Sequence, residues 1–390
     1  MSTPKKRVTV LGSTGSIGRG ALDVARRLPE AIRIAALAAQ RQWQLLADQA
    51  EEFGPDAVAI ADADCAEPLR RRLAARGLRA RVFAGPDALV ALVREVETDF
   101  VLAAVVGAAG IPSTLEAVRR GRIIGLANKE TLVVAGALVS RLAAEHGAKL
   151  IPVDSEHSAI FQALHAGRSA EVERIYLTAS GGPFRTWSSE RIAAATLEDA
   201  LKHPTWQMGP KITIDSATMM NKALEIIEAA RLFQIDPDRV KVVIHPESIV
   251  HSMVQFHDGS VVAQMGSPDM RTPIQYAMTY PRRLPRPDGR LDLASLGRMH
   301  FEAPDPVRFP ALRLGHEVAR LGGTAGAALN AANEAAVDAF RAGRMRFGEI
   351  VPRVEDVLRR HAFIADPDLE QLTAVDAWAR REVEPCCSPA

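Results

Sequence analysis

Two carboxylates stand close together in the middle of the chain. Asp154 and Glu156 follow an apolar run, residues 149–153, that is predicted to be a buried strand. If the backbone stays extended there, side chains two positions apart share one face and lie roughly 7 Å apart. Carboxylates that leave a strand end together repel each other unless a cation lies between them. A solvated acidic turn is the simpler explanation of the bare pair, so a metal site needs further support.

A third carboxylate lies on a later segment. Residues 215–228 are predicted to form a helix with Asp215 as its N-cap. Asn221, Glu225 and Glu228 then fall on one stripe, at positions i, i+4 and i+7. Such a stripe ordinarily faces water, but Glu225 could instead be a third oxygen ligand. An oxygen-only ligand set, with no cysteine and no paired histidines at zinc spacing, favours Mg²⁺ or Mn²⁺.

Side chains that suit a phosphate occur in two of the neighbouring segments. Ser216, Asn221 and Lys222 are hydrogen-bond donors of the kind that a phosphate needs. The loop 180–184 begins Ser-Gly-Gly directly after a predicted strand, 173–179, and exposes backbone N–H groups. A flexible turn explains this loop equally well on its own.

The segment 203–210 is predicted to be irregular, because two prolines and a glycine interrupt both helix and strand. It nevertheless carries Trp206 and Met208, large apolar side chains of a kind that is usually buried in the hydrophobic core. A lid that closes over a ligand would use them in this way. A loop pinned to the core by its tryptophan is the alternative.

Composition bounds the class of protein. The chain has 390 residues, 47% hydrophobic and 24% charged, which favours two or three domains with a large core. A net charge of +1 gives no electrostatic case for nucleic acid or an anionic membrane as partner. The three cysteines, Cys65, Cys386 and Cys387, form no disulfide framework and predict a reducing, cytoplasmic location. No apolar run approaches transmembrane length.

The first third has the pattern of a dinucleotide-binding domain. A β-rich run, 7–11, precedes the glycine loop 12–18, and a helical pattern follows. The glycines allow the backbone to approach a pyrophosphate, and the helix N-terminus supplies N–H groups. Apolar runs then alternate with helical patterns, which predicts a parallel, doubly wound sheet. The runs predicted to be strands are 32–38, 56–60, 81–84, 100–106, 123–126 and 149–153; helices are predicted at 43–53, 65–76 and 112–120.

The end of the second predicted strand bears on the choice of cofactor. Gln40, Arg41 and Gln42 stand where an NAD site usually has an acidic residue. Arg41 could face a 2′-phosphate, so NADP is preferred, although a solvated arginine is about as good an explanation. Lys129 starts a predicted helix after another strand, at the sheet edge where ligands bind. Positive charge is unfavourable at a helix start, so a ligand-binding role is favoured there.

Later segments are predicted as a hairpin, an irregular loop and a helical bundle. The runs 251–256 and 260–265 pair across Asp258-Gly259, and 266–273 is irregular. Consecutive helices with short connections suggest a small α-bundle, and they are predicted at 311–321, 330–342, 347–360 and 369–382.

Taken together, these motifs resemble the 1-deoxy-D-xylulose 5-phosphate reductoisomerase family over nearly the whole chain. The stretches that carry the resemblance, in order, are 12–18, 126–130, 152–157, 180–184, 203–209, 215–228 and 245–273. The family reaction rearranges 1-deoxy-D-xylulose 5-phosphate and reduces the product with NADPH to 2-C-methyl-D-erythritol 4-phosphate, in non-mevalonate isoprenoid synthesis. At Gln40-Arg41-Gln42 the chain departs from the family, which commonly has a glycine, a small or basic residue and an asparagine.

The resemblance implies a role for each matching residue. The divalent metal, Mg²⁺ or Mn²⁺ with Co²⁺ as a further option, is implied to bind Asp154, Glu156 and Glu225. The catalytic set comprises these three with Lys129 and His203. Substrate contacts are implied for Lys129, Ser155, Glu156, Ser180, His203, Trp206, Met208, Ser216, Asn221, Lys222 and Glu225. NADPH contacts are implied for Thr14, Gly15, Ser16, Ile17, Asn128, Glu130 and Gly209, with Gln40, Arg41 and Gln42 at the adenine ribose.

The expected architecture is α/β, with an N-terminal Rossmann-like sheet, a central α+β catalytic domain and a C-terminal helical bundle. The predicted boundaries are 1–150 for NADPH binding, 151–285 for catalysis and dimerisation with a lid at 203–210, 286–304 for a linker and 305–390 for the bundle. The resemblance implies a homodimer acting on a small sugar phosphate. Two other functions stay open: a metal-independent NADP-dependent semialdehyde or sugar-acid dehydrogenase, and an NADP-sensing regulatory protein.

Overall fold

The computed structural model describes residues 4–206, 208–286 and 288–383, so Cys386 and Cys387 lie outside the described residues. The strands are β1 Lys6–Leu11, β2 Ile32–Ala39, β3 Ala57–Ile60, β4 Arg81–Ala84, β5 Phe100–Ala103, β6 Ile123–Leu126, β7 Lys149–Pro152, β8 Val172–Ala179, β9 Val240–Ile244, β10 Val250–Phe256 and β11 Val261–Met265. The α-helices are α1 Ser16–Arg27, α2 Trp43–Phe53, α3 Ala66–Ala75, α4 Ala88–Glu95, α5 Ile111–Arg119, α6 Glu130–His146, α7 Ser155–Ala163, α8 Ser189–Ala193, α9 Leu197–Ala200, α10 Pro210–Ala217, α11 Met220–Leu232, α12 Arg271–Thr279, α13 Leu293–Leu296, α14 Ala311–Leu321, α15 Ala325–Arg341, α16 Ile350–Arg360 and α17 Leu369–Val383.

The described residues group into two compact units. The first takes its residues from Met1–Thr131, Val139–Ser158 and Asp269–Pro287, and the second from Leu132–Leu138, Ala159–Pro268 and Asp288–Ala390. Helices α6 and α7 each contain residues of both units. The four-part domain division stated from the sequence stays a prediction. Within the described residues, no helix is both long and apolar enough to cross a membrane.

A seven-stranded parallel sheet forms the centre of the first unit, as the alternating pattern predicted. Its strand order is β4-β3-β2-β1-β5-β6-β7, so the order reverses beside β1. Strands β3 and β5 are buried along their whole length, which explains why they are continuous apolar runs. The carboxyl ends of β1 and β5 mark the switch point where ligands bind in such sheets.

Two predictions for the first unit are wrong in detail. Strand β5 ends at Ala103, whereas the prediction carried it to residue 106. The predicted irregular loop 266–273 is helical from Arg271 onward, because α12 begins there. Asp269 lies just before the N-cap residue Met270 and accepts at 2.9 Å the backbone N–H of Arg271, which has no partner within the helix. Pro273 fits because the first turn of a helix needs no N–H donor at that position.

The second unit combines a four-stranded sheet with most of the helices. Its strand order is β11-β10-β8-β9, with β8 parallel to β9 and antiparallel to β10. The predicted hairpin is confirmed, since β10 and β11 pair antiparallel. Helix α11 packs against β8 and β9 on one side and against α14 on the other. Gly315 permits the second contact, because a Cβ atom there would lie 2.7 Å from the Cα of Ala223.

The helical end of the chain agrees with the prediction apart from two starts. Helix α15 begins at Ala325, five residues before the predicted start at 330. Gly326 is the second residue of this helix, and only glycine fits there, because a Cβ atom would overlap the carbonyl oxygen of Val133. The predicted helix 347–360 is a 3-10 turn, Phe347–Glu349, followed by α16.

Candidate active site

The glycine loop between β1 and α1 is shaped for close backbone approach. Gly12 has φ of +83°, and a Cβ atom there would lie 2.5 Å from the carbonyl oxygen of Ala104. Gly18 packs against the backbone of Gly12 and Ser13 without room for a Cβ. The free N–H groups at the start of α1 therefore border the sheet's switch point, where a pyrophosphate is favoured. The residues predicted to contact the cofactor in this loop are Thr14, Gly15, Ser16 and Ile17.

The end of β2 presents three exposed side chains, those of Gln40, Arg41 and Gln42. Arg41 donates from Nε to Oδ2 of Asp62 at 2.7 Å. Asp62 follows β3 at the same edge of the sheet, so an anion that enters here competes with it for the guanidinium. Sequence reasoning missed Asp62, although its position just after a predicted strand was the available signal.

The junction of β6 and α6 is held by its own side chains. Asn128 donates to the carbonyl of Gly107 at 2.9 Å and thereby fixes the loop after β5. Lys129 is buried at the N-cap of α6, and its Nζ lies 2.6 Å from Oδ2 of Asp154. Glu130 is the first residue of α6 and is also buried. The structure therefore brings together Lys129 and Asp154, two residues that the sequence assigned to one site.

The carboxylates after β7 do not lie on an extended strand, and the prediction of a shared strand face is wrong. Helix α7 begins at Ser155, and the carbonyl of Asp154 accepts the N–H of Ser158 at 2.8 Å. Glu156 therefore lies in the first helical turn, where it accepts a hydrogen bond from the Ser155 hydroxyl. Aspartate is a preferred N-cap residue, so the start of a helix was the signal to read. Both carboxylates instead benefit from the positive end of the helix dipole.

In the second unit, the Ser-Gly-Gly loop follows β8 directly. Gly181 and Gly182 have φ of +84° and +65°, which only glycine adopts without strain. A Cβ atom on Gly182 would lie 2.7 Å from the carbonyl oxygen of Ser216, so the loop rests on the backbone of α10. Ser180 accepts the N–H of Gly182 at 3.2 Å and lies 3.0 Å from Nε2 of His203. Ser180 and His203 are thus in contact, and the loop that begins at Ser180 packs on the backbone of Ser216.

The loop from His203 onward is irregular, as predicted, and it is organised by the histidine ring. Nδ1 of His203 accepts the N–H groups of Thr205 at 3.2 Å and Trp206 at 2.9 Å. The remaining ring proton therefore lies on Nε2, facing Ser180. Burial lowers the pKa of His203, which favours this neutral form. The indole of Trp206 lies 6.4 Å from the ring of His251, and Gln207 lies outside the described residues.

The loop leads into α10 earlier than predicted. Met208 is half-buried, and Gly209 is the N-cap of α10. The carbonyl of Gly209 accepts two hydrogen bonds from Thr213, one from its N–H at 3.1 Å and one from its hydroxyl at 2.9 Å. The prediction of Asp215 as an N-cap is wrong, because Asp215 lies inside α10. The proline of the first turn, which was taken as an interruption, instead starts the helix.

Helix α11 carries the third carboxylate. The amide of Asn221 and the ammonium of Lys222 both donate to the carboxylate of Glu225. Lys222, Glu225 and Glu228 are buried, so the ordinary explanation of a water-facing stripe is wrong. Burying ionised groups is costly unless they are paired and hydrogen-bonded. These charged groups therefore do not serve to make the protein surface soluble, and their burial needs another explanation.

The sheet, its order and the glycine loop define the class: an α/β protein with a Rossmann-type dinucleotide-binding fold. Three family models match the chain. They describe 1-deoxy-D-xylulose 5-phosphate reductoisomerase at residues 8–136, its C-terminal domain at 150–233, and the DXP reductoisomerase C-terminal domain at 265–382. The chain belongs to the 1-deoxy-D-xylulose 5-phosphate reductoisomerase family.

Individual relatives match over nearly their full length. The 1-deoxy-D-xylulose 5-phosphate reductoisomerase of Chloroherpeton thalassium is 49% identical over 97% of both chains, and that of Geobacillus sp. is 48% identical over 97% of this chain and 99% of its own. The solved structure from Zymomonas mobilis, in complex with NADPH, has a TM-score of 0.93 and 44% identity, covering 99% of this chain and 100% of that one. A reductoisomerase complex with NADPH, fosmidomycin and magnesium has a TM-score of 0.92 and 39% identity, covering 98% of both chains.

Proposed function

We propose that the protein converts 1-deoxy-D-xylulose 5-phosphate to 2-C-methyl-D-erythritol 4-phosphate, using NADPH and a divalent metal, in non-mevalonate isoprenoid synthesis. The observation that carries this proposal is the match, over 98–99% of the chain, to reductoisomerase structures that contain NADPH and magnesium. Both open alternatives lose ground, because family membership is supported along three successive segments and extends beyond the cofactor domain.

For NADPH, the loop from Thr14 to Ile17 supplies backbone donors for the pyrophosphate, and Arg41 supplies a positive charge for the 2′-phosphate. Asn128 acts mainly by holding the loop after β5 in place. Glu130 and Gly209 are assigned by the family resemblance. The cofactor's nicotinamide supplies the hydride, and the protein's task is to orient it and exclude water.

For the metal, the proposed ligands are Asp154, Glu156 and Glu225. The donor set fits a hard cation, since all three are carboxylates, and Mg²⁺, Mn²⁺ and Co²⁺ accept such ligands. Asp154 pairs with Lys129 and Glu225 pairs with Lys222, so two of the three carboxylates already lie beside positive charge, which supports the proposal. When bound, the ion would polarise the substrate's ketone and hydroxyl oxygens as a Lewis acid.

For the substrate, the phosphate is assigned to the donors of the second unit, and the sugar end to the groups beside the metal. The phosphate donors are Ser180, Ser216, Asn221 and Lys222, with His203 holding Ser180. The groups beside the metal are Ser155 and Lys129. A phosphate far from the reacting carbons can supply binding energy for closing the loop that carries Trp206 and Met208.

The direct test is incubation with 1-deoxy-D-xylulose 5-phosphate, NADPH and Mn²⁺, following the absorbance of reduced nicotinamide. We expect NADPH oxidation that stops after chelation with EDTA and returns with added Mn²⁺. Full activity in EDTA would support the metal-independent dehydrogenase. NADPH binding without any turnover would support the regulatory protein.

The domain division at 150, 285 and 304, the homodimer and the cytoplasmic location belong to the same proposal. They are supported by the family resemblance. Sedimentation equilibrium of the full chain tests the dimer: a homodimer should have a measured mass of twice the 42.1 kDa of one chain.

A further inference from the structure

A buried carboxylate that the proposed function does not use lies inside α10. Asp215 is 1% exposed. Its Oδ1 accepts a hydrogen bond from Nδ2 of Asn333 at 2.8 Å, and its Oδ2 lies 2.9 Å from Nζ of Lys211. Asn333 is fully buried on α15. Replacing a whole buried polar or charged group of this kind by apolar side chains is often neutral or stabilising, so packing alone does not require a charge at this position.

The helix that Asp215 anchors ends where the chain turns sharply. The hydroxyl of Thr218 lies 3.2 Å from the carbonyl of Asp215 and accepts the N–H of Met220, also at 3.2 Å. Met219, between α10 and α11, is buried and has φ of +61°, a left-handed conformation that is strained for any residue except glycine. Such a conformation persists only where the surrounding structure holds it on both sides.

Helix α10 and this turn border the groups assigned to the phosphate. The Ser-Gly-Gly loop rests on α10 through the close contact of Gly182 with the carbonyl of Ser216. On the other side of the turn, the first residues of α11 include Asn221 and Lys222. A displacement of α10 would therefore reach both sets of groups assigned to the phosphate.

We propose that Asp215 is a positioning residue for the substrate phosphate. Its carboxylate, held by Asn333 and Lys211, fixes α10 so that Ser216, the Ser-Gly-Gly loop and the first turn of α11 keep one geometry. Asp215 does not touch the substrate in this proposal. The inference rests on the proposed function, because it takes the phosphate of that substrate as the ligand.

The test is Asp215→Asn, measured for turnover and for binding of inorganic phosphate and NADPH to the full chain. The amide keeps an acceptor for Asn333 but removes the charge that holds Lys211. We expect KM for the sugar phosphate and Kd for inorganic phosphate each to rise about tenfold, the effect of weakening one charged hydrogen bond. The change in kcat should be much smaller, and Kd for NADPH should stay as in the wild type.

The matched control is Asp338→Asn on α15, an exposed carboxylate paired with Arg341 at 3.1 Å. It should change none of these constants. If Asp215→Asn does not fold, Asn333→Ala removes one donor and keeps the charge, and a smaller rise in the same two constants is expected.

Unchanged KM and phosphate affinity in a folded variant, with only a lower melting temperature, would overturn the inference. This outcome differs from failure of the proposed function. In that case the wild type itself would not oxidise NADPH with 1-deoxy-D-xylulose 5-phosphate, whatever the behaviour of Asp215→Asn toward inorganic phosphate.

Discussion

The glycine loop of the first unit and the α10–α11 region of the second unit are both assigned to phosphate groups, yet they are constructed differently. The glycine loop depends on backbone: Gly12 and Gly18 leave no room for side chains, and the helix start offers N–H groups. The α10–α11 region depends on side chains, with Lys222 and Asn221 donating to Glu225 and Asp215 held from α15. A backbone site tolerates changes of side chain and fails when a methyl group is added. A site built from side chains instead fails when one of those side chains is replaced, and it is less sensitive to an added methyl group.

The largest effect is expected from Glu225→Gln. The amide preserves the shape and one acceptor oxygen, but it removes the charge proposed to bind the metal. We predict that kcat falls by at least about 10²- to 10³-fold, while the variant still folds with a lower melting temperature, because the buried Lys222 loses the charge of its partner. Glu198→Gln, at an exposed pair with Lys202, is the control and should be fully active. Near-normal turnover would remove Glu225 from the metal site.

Gly12→Ala should be the next most damaging change. The new Cβ would meet the Ala104 carbonyl at 2.5 Å in a left-handed backbone conformation, so we predict at least about tenfold weaker NADPH binding together with lower stability. Gly54→Ala has positive φ but open space around it, and should cost only about 1 kcal/mol of stability. Thr14→Ala should leave Kd for NADPH almost unchanged. A Thr14 effect as large as that of Gly12, measured by NADPH fluorescence titration, would contradict the backbone account of this loop.

A smaller effect is expected at the end of β2. Arg41→Ala should weaken NADPH about tenfold and NADH hardly at all, because only NADPH carries the 2′-phosphate. Asp62→Asn should have the opposite sign and tighten NADPH slightly, since it removes the carboxylate that competes for Arg41. Equal effects of Arg41→Ala on both cofactors in the same titration would exclude the 2′-phosphate role.

The smallest effect concerns His203 and pH. Its Nδ1 must be unprotonated to accept the N–H groups of Thr205 and Trp206, and burial lowers its pKa below the ordinary value of about 6.5. The stability that this neutral ring contributes is therefore present above pH about 6.5 and is lost as pH falls through the lowered folded-state pKa.

Tryptophan emission measures the change. We expect the emission of Trp206, obtained by subtracting a Trp206→Phe variant, to shift as the pH falls through that range. His203→Asn keeps an acceptor and cannot titrate, so its emission should not change with pH. A shift of the same size in His203→Asn would show that another group is responsible.

The elements of the first unit follow closely from the sequence, because a parallel sheet buried on both faces produces continuous apolar runs. The edge strand Arg81–Ala84 is only partly buried, yet it and the helix Trp43–Phe53 also agree with the prediction residue for residue. Periodicity also found the helix Ala311–Leu321. The local hydrophobic pattern is sufficient to predict a helix or strand that packs one face against one core.

The starts of α7, α10 and α12 were not predicted, because proline and aspartate are common both in loops and at the first positions of helices. Pro210 was interpreted as interrupting regular structure and Asp154 as extended, whereas Pro210 is the first residue of α10 and Asp154 directly precedes α7. The burial of Glu225 and the contact between Asp215 and Asn333, 118 residues apart, depend on tertiary packing that no local pattern encodes. The metal-ligand assignment was suggested by the three carboxylates, was then implied by the family resemblance, and remains a prediction.

The most direct test of that assignment is Mn²⁺ binding, followed by electron paramagnetic resonance on the wild type, Glu156→Gln and Glu225→Gln. We predict one Mn²⁺ per chain in the wild type and at least about tenfold weaker binding in each variant, because each removes one charged ligand. The two substitutions lie on different helices, α7 and α11, so a loss in both is the signature of a shared ion. Wild-type affinity in either variant would contradict the three-carboxylate site.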